Sequence, residues 1–450
     1  MTECITAPLP VSSLGRKKIV ADFAGGHITS DAGALLLREV DRRIGLVDAI
    51  ARALPDPRDP EAITHPWRSL LAQRLYALAL GYEDLNDHAA LRHDPLFHIL
   101  AERSLAPDEA LASAPTLCRL ENRAKRTGLV AIATAFVDQF IQSHATPPKE
   151  LILDFDATDD PLHGNQEGRF FHGYYDQYCF LPLYVFCGTQ LLVAYLRPSD
   201  IDAARHSRAI LKLLVTRFRQ VWPEVVIMVR GDSGFCRWKL MRWCDRQRNV
   251  FYLLGLARNA VLERMAAPAM AEAQAAVEAT GEAARRFTET TYAAKTWDRA
   301  RRVIVKAEYT GEKPNPRFLV TNLSGDPQHL YEEVYCQRGE MENRIKEQQL
   351  GLFADRTSCH AFLANQLRVL LSAAAYILVE ALRRMGLSET PLATAQVSTI
   401  RLKLLKIGAL VKTSVRRIVL HLASGCPWQA LFRSVFERLR RWPLPAPASG

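Results

Sequence analysis

Two kinds of apolar spacing divide the chain near residue 146. From Thr29, Ser30 and Asp31, a cluster of helix-capping residues, apolar side chains recur every three or four positions through Leu35, Leu36, Val40 and Ile44, and similar stretches continue to about Ser143. After the linker-like Thr146 to Lys149 (TPPK) the apolar residues run together instead, in LILDFDAT, YCFLPLYVFCG and LLVAYLRPSD. A helical stretch from about Ala203 to Trp222 follows, then the run VVIMVRGD, a helix around Trp238 to Arg246 and the run VFYLLGLA. Continuous β-branched runs of this length predict buried strands.

Three strands, a helix, a strand, a helix and a strand is the order of an RNase-H-like mixed sheet, in which the first and fourth strands lie side by side. The expected fold is therefore α/β: an RNase-H-like core over 150–258 and 331–385, preceded by an all-α N-terminal domain over 1–145. Residues 1 to about 20 lack a periodic pattern and read as a flexible arm. Between them an Ala/Glu-rich stretch and alternating segments (TETTYAAKTW, RRVIVKAEYT, PRFLVTNL) predict a β-rich insertion over 259–330. A strongly apolar helix, His360 to Arg384, is expected to pack under the sheet. Residues 386–450 form a basic C-terminal region ending in PLPAPASG, which reads as disordered.

Charge sharpens that division. The chain of 450 residues carries a formal charge of +10. From Arg401 onward there are ten Lys or Arg and one acid, Glu437, so nearly all of the excess lies in the last fifty residues and makes them a candidate phosphate-contacting surface. In the helical third, RSLLAQRLYALALGYED and SAPTLCRLENRAKR pair apolar faces with Arg and Lys, as a helical DNA-binding domain would. The nine Cys include no CxxC pair, which disfavours a structural zinc site and suggests reduced thiols. The start lacks signal-peptide character and the longest apolar run, Val369 to Val379, is short for a bilayer, so a soluble, cytoplasmic protein with no membrane partner is expected. The absence of a Gly-x-x-x-x-Gly-Lys-Ser/Thr loop disfavours ATP-driven work.

The chemistry concentrates in three carboxylates. Asp156 ends LILDFDAT, Asp232 ends VIMVRGD, and Glu342 lies in the helical pattern YCQRGEMENRIK. Asp154 shares a strand face with Asp156, but the D-A-T step at the strand end favours Asp156. Two glycines flank Asp232 and let backbone approach a ligand closely, while Arg230 faces either a phosphate or a carboxylate. At about 100° per residue, Tyr335, Arg338, Glu342 and Lys346 fall within roughly 80° of arc. Acids from two strands and a helix form a hard-oxygen set suited to Mg²⁺ or Mn²⁺, and two such ions about 3.5 to 4 Å apart can hold the attacking and leaving oxygens of a phosphodiester. Arg338 and Tyr335 would contact the DNA phosphates, with Lys346 and Arg230 nearby.

The order D-x-T, R-G-D-S-G and Y-x-x-R-x-x-x-E resembles the DDE transposases of bacterial insertion sequences, in the branch whose third acid lies in a Tyr-Arg-Glu-Lys signature. The segments D-A-T-D-D-P-L-H-G, F-F-H-G-Y-Y and G-E-M-E-N-R-I-K-E look most like the thirteen-eighty family of insertion sequences. The resemblance implies that Asp156, Asp232 and Glu342 are catalytic and hold two Mg²⁺ ions, for which Mn²⁺ can substitute. It also implies a bacterial, nucleoid-associated enzyme working as a homodimer or higher assembly on double-stranded DNA, cutting terminal inverted repeats and joining the 3′-hydroxyls to target DNA. The signature lysine has no match: Gln349 stands at its position, and Lys346 lies near the same face. Two alternatives remain at this stage, an RNase-H-like nuclease or resolvase without strand transfer, and a domesticated DNA-binding protein.

Overall fold

The structure, a computed structural model, describes residues 9–106, 109–310 and 313–443. The expected disorder of the Pro/Ala-rich end, and residues 1–8 of the expected arm, lie outside the described residues. The chain forms two compact units, residues 124–377 and residues 1–123 joined by 378–450.

In the larger unit, α1 (Arg126–Gln142) precedes an eight-stranded sheet. In chain order its strands are β1 (Glu150–Ala157), β2 (Leu183–Cys187), β3 (Gln190–Tyr195), β4 (Val226–Gly231), β5 (Val250–Leu256), β6 (Ala284–Tyr292), β7 (Arg301–Tyr309) and β8 (Arg317–Thr321). Their spatial order is β6-β7-β8-β5-β4-β1-β2-β3. The three central strands β5, β4 and β1 run parallel and every other pairing is antiparallel, so the fold is mixed α/β as the pattern of runs predicted. The first and fourth strands are neighbours, with Arg230 opposite Asp154 and Gly231 opposite Phe155. The parallel steps are joined by the helices α2 (Ser207–Val221) and α3 (Trp238–Asp245). The segment 259–330, expected as an insertion, supplies α4 (Ala260–Thr280) and then three strands that extend this same sheet.

Alternation along the strands decides what each face holds. Leu151, Leu153, Phe155, Ile227, Val229, Tyr252 and Leu254 point to one face, where they meet Phe140 of α1, Leu214 and Phe218 of α2 and Met241 of α3 in the main core. The intervening Met228 and Leu253 point to the other face, against Leu330, Tyr331 and Tyr335 of a helical stretch over 327–351. That stretch is not one regular helix. Wide π turns, Leu330–Tyr335 and Glu347–Gly351, flank a short 3₁₀ turn, Cys336–Arg338, and the α-helix α5, Gly339–Lys346. Such interruptions often accompany functional sites, because they re-aim side chains that a uniform helix would stack.

The smaller unit is helical between Leu35 and Asn122 but not all-α. The hairpin Leu9–Leu14 with Lys17–Ala21 replaces part of the expected arm, and Ile28–Thr29 joins the C-terminal strands Ala409–Ser414 and Arg417–Leu422 in a three-stranded sheet. The helix Trp67–Leu80, expected to offer a basic face, is buried from Ser69 to Leu80. Its Arg74 pairs with the fully buried Glu121 at 3.2 Å, so a charge read as DNA-facing is spent on packing.

The stretch Phe362–Leu387 is long and apolar enough to cross a membrane, more than the sequence run suggested. Its most apolar window is 83% buried within the protein, as in a core helix. All eight described cysteines are free thiols.

Candidate active site

Because even-numbered positions of β1 and β4 share a face, Asp154, Asp156, Arg230 and Asp232 all stand on the side covered by the 327–351 stretch. Parallel strands end in the same direction, so their carboxyl ends place Asp156 and Asp232 side by side, the position where open α/β sheets bind ligands. Asp232 also caps the turn Ser233–Phe235, its Oδ1 accepting from the Gly234 N–H at 2.8 Å. Oδ1 of Asp156 accepts from the Ala157 N–H at 2.9 Å. Local backbone thus orients both carboxylates.

The helix completes the group through Arg338. Its Nη2 donates to Glu342 Oε1 at 3.0 Å and its Nη1 to Asp156 Oδ2 at 3.4 Å, so one guanidinium bridges the strand acid and the helix acid. The 338–342 spacing is an i,i+4 pair, which explains why the Arg338–Glu342 part of the face read from the sequence survives the irregular turns around it. Burial pushes the Asp156 carboxyl up to about 6, with Asp232 and Glu342 adding to the rise and Arg338 opposing it. Burial works against the Arg338 charge, but Asp156, Tyr335, Glu342 and Asp232 outweigh it and hold the guanidinium protonated. The Tyr335 hydroxyl lies over Gly255 of β5, beside the backbone of Asp232 and Ser233. Burial raises its phenol, and the Asp232 charge raises it further.

One of the residues singled out from the sequence, Arg230, has another duty. Arg230 is 5% exposed and cannot reach DNA from there. Its Nε and Nη2 grip both oxygens of Asp154 at 2.6 and 2.7 Å, and Nη1 donates to the Val334 carbonyl. This pair fastens the π turn Leu330–Tyr335 to the sheet, and it removes Asp154 from the candidate ligands. Lys346 is exposed at the end of α5. Gln349, at the position of the signature lysine, donates to the Asp159 carbonyl at 3.0 Å and ties the helix to the loop after β1.

Gly255 was not visible from the sequence. A Cβ there would stand 2.8 Å from Ser233 N, 2.8 Å from the Tyr335 hydroxyl and 3.1 Å from Asp232 C, so the strand must carry glycine to let tyrosine and turn close over it. A lone glycine inside an apolar run was the only signal.

In chemistry, though not in their present spacing, the donors suit divalent cations: three carboxylates, one of them destabilised as an anion by burial and by its acidic neighbours. Among the described residues, no three His, Cys, Asp or Glu side chains are close enough together to enclose a metal ion. In this arrangement the positive charge between Asp156 and Glu342 is Arg338.

The chain matches the protein family described as transposase DDE domain group 1 over residues 11–444. No curated protein matches it. Among solved structures, the cryo-EM structure of the piggyBac transposase synaptic complex with hairpin DNA is similar at 10% identity and a TM-score of 0.42, over 94% of this chain and 87% of that one. That likeness is too distant to transfer any property.

Proposed function

This chain belongs to the transposase DDE domain group 1 family, and on that premise we propose that it binds the terminal inverted repeats of its element, cleaves the DNA at the element's ends and joins the freed 3′-hydroxyls to target DNA. The observation that carries the reading is the pairing of two acids at adjacent parallel strand ends, Asp156 and Asp232, with an arginine-bridged glutamate facing them from a helix. An RNase-H-like core is the fold this strand order suits, and the segments D-A-T-D-D-P-L-H-G, F-F-H-G-Y-Y and G-E-M-E-N-R-I-K-E support a reading as a member of the thirteen-eighty family of insertion sequences.

Asp156, Asp232 and Glu342 would hold Mg²⁺, or Mn²⁺ in its place, as two ions. Bound there, the cations supply charge neutralisation at the attacking and departing oxygens of an in-line phosphoryl displacement. The protein's own groups bind and orient. The Arg338 fork turns from the two carboxylates to the phosphate next to the cut, a bidentate contact its planar donors suit. The Tyr335 hydroxyl, held over Gly255, donates to the same strand. Lys346, exposed at the end of α5, reaches the neighbouring phosphate. Two ends must be held for joining, so the enzyme works as a dimer or larger assembly on double-stranded DNA in the bacterial cytoplasm.

Asp156→Ala, Asp232→Ala and Glu342→Ala should each abolish Mg²⁺-dependent cleavage of a duplex carrying the element's end, with binding of that duplex retained. Adding a chelator to the parent protein should have the same effect. Full cleavage by any one variant would refute the site. A parent protein that cuts but never joins 3′ ends to a target plasmid would be a nuclease, not a strand-transfer enzyme.

A further inference from the structure

The ten cations after residue 400 do not form one surface. Arg401 donates to the Ala79 carbonyl at 3.1 Å, Lys406 pairs with Asp31 at 2.6 Å, Lys403 lies over the Trp428 ring and Arg438 pairs with Glu389 at 3.2 Å. These four serve the packing of the smaller unit. Lys412, Arg416 and Arg417 do not, because they lie on the hairpin formed by Ala409–Ser414 and Arg417–Leu422, whose distal half is exposed on both faces.

The base of this hairpin is anchored. Ala409 and Val411 are buried, the first strand pairs with Ile28–Thr29, and the Val411 N–H donates to the His27 carbonyl at 2.8 Å. Beyond Val411, every residue from Lys412 to Val419 is exposed. Lys412 stands across from Val419 and Ser414 across from Arg417, so Lys412 and Arg417 share one face while Val415 and Arg416 form the tip. Val415 is fully exposed and Ile418 is half-exposed, although a two-stranded ribbon with bare apolar side chains gains nothing in water.

We propose that this ribbon enters a groove of duplex DNA, with Lys412, Arg416 and Arg417 on the flanking phosphates and Val415 against the base edges. The inference rests on the reading of the chain as an enzyme of DNA ends. The dimensions agree: three residues of strand from Lys412 to the tip extend about 10 Å, and a major groove about 12 Å wide and 8.5 Å deep admits a two-stranded ribbon. The charge agrees too. No acid lies between Arg401 and Phe436, so the three cations face no competing carboxylate of their own segment. The same cationic segment of a second copy would meet them with repulsion, whereas a duplex presents about one negative charge per 1.7 Å.

The test uses the full chain, without divalent metal, and two labelled duplexes of equal length, one from the DNA flanking the gene and one of scrambled sequence. For Lys412→Gln/Arg416→Gln/Arg417→Gln, affinity for both duplexes should fall roughly tenfold to a hundredfold, and the slope of log affinity against log salt should become shallower by about 2 to 3. Val415→Asp should weaken binding to the flanking duplex with little change in thermal unfolding, which separates groove contact from misfolding. Should the triple variant fail to fold, Arg416→Glu at the exposed tip is read in the same way. Unchanged affinity and slope in variants that fold, against a parent protein that binds DNA, would overturn the ribbon proposal alone. A parent protein that binds neither duplex would overturn the ribbon and the enzyme reading together, and a change confined to self-association would assign the ribbon to a second copy of the chain.

Discussion

Replacing Gly255 by alanine tests whether the site depends on the close approach of three elements. A methyl group there would lie 2.8 Å from Ser233 N and 2.8 Å from the Tyr335 hydroxyl, with Asp232 C at 3.1 Å. Reaching an ordinary contact of about 3.4 Å requires the first two distances each to open by about 0.6 Å. The tyrosine can tilt, but the Ser233 and Asp232 atoms are backbone and carry the proposed catalytic carboxylate with them. Overpacking of this kind costs about 1 to 3 kcal/mol, which should lower the melting temperature by several degrees. Misplacing a catalytic group by about 1 Å costs on the order of 100-fold in rate, so Gly255→Ala should slow cleavage of end DNA about 10- to 100-fold in a single-turnover assay, with DNA affinity unchanged. Because Tyr335→Phe removes one of the two tightest contacts, the Gly255→Ala substitution should cost less in that background than alone, a coupling a double-mutant cycle measures. A Gly255→Ala protein that melts and cleaves like the parent would refute the argument.

Arg230→Met leaves the Asp154 carboxylate buried without its partner and should destabilise the protein by about 3 to 5 kcal/mol in denaturant unfolding, whereas Arg230→Met with Asp154→Leu should recover most of the loss; equal stability of the two variants would show that the pair is not what fastens the helix. In the smaller unit, burial raises the Asp41 carboxyl from 3.8 to about 6 while it accepts from the Val47 N–H at 3.0 Å. The folded state therefore prefers the protonated acid, a contribution fully present below about pH 4 and lost as pH rises through about 6, worth roughly 3 kcal/mol for this nearly inaccessible group. Asp41→Asn should accordingly raise stability at pH 8 by about 1 to 3 kcal/mol and change little at pH 4; a gain of the same size at both values would contradict the burial assignment.

Much of the active face was legible in the order of residues. Apolar runs ending in Asp156 and Asp232 announce strands that present acids at their ends, and alternation puts Asp154 with Asp156 on one face of their strand and Arg230 with Asp232 on one face of theirs, while only the register makes those faces coincide. The i,i+4 relation of Arg338 and Glu342 is likewise local, and it holds at 3.0 Å. Partnership is not local. Arg230 reads as facing either a phosphate or a carboxylate until the parallel register sets it opposite Asp154, 76 residues away, and the same register turns Asp154 from a candidate ligand into a counter-ion. Gly255 acquires meaning only when Tyr335 folds over it, and the cations after residue 400 divide into packing and exposed groups only when Asp31, Ala79 and Glu389 are found beside some of them. By itself the sequence determined which residues could carry the chemistry, because strand and helix periods are properties of the backbone; which of those residues remained available for it was decided by tertiary structure, because a charge is committed or left free by whatever distant segment the fold brings within hydrogen-bonding reach.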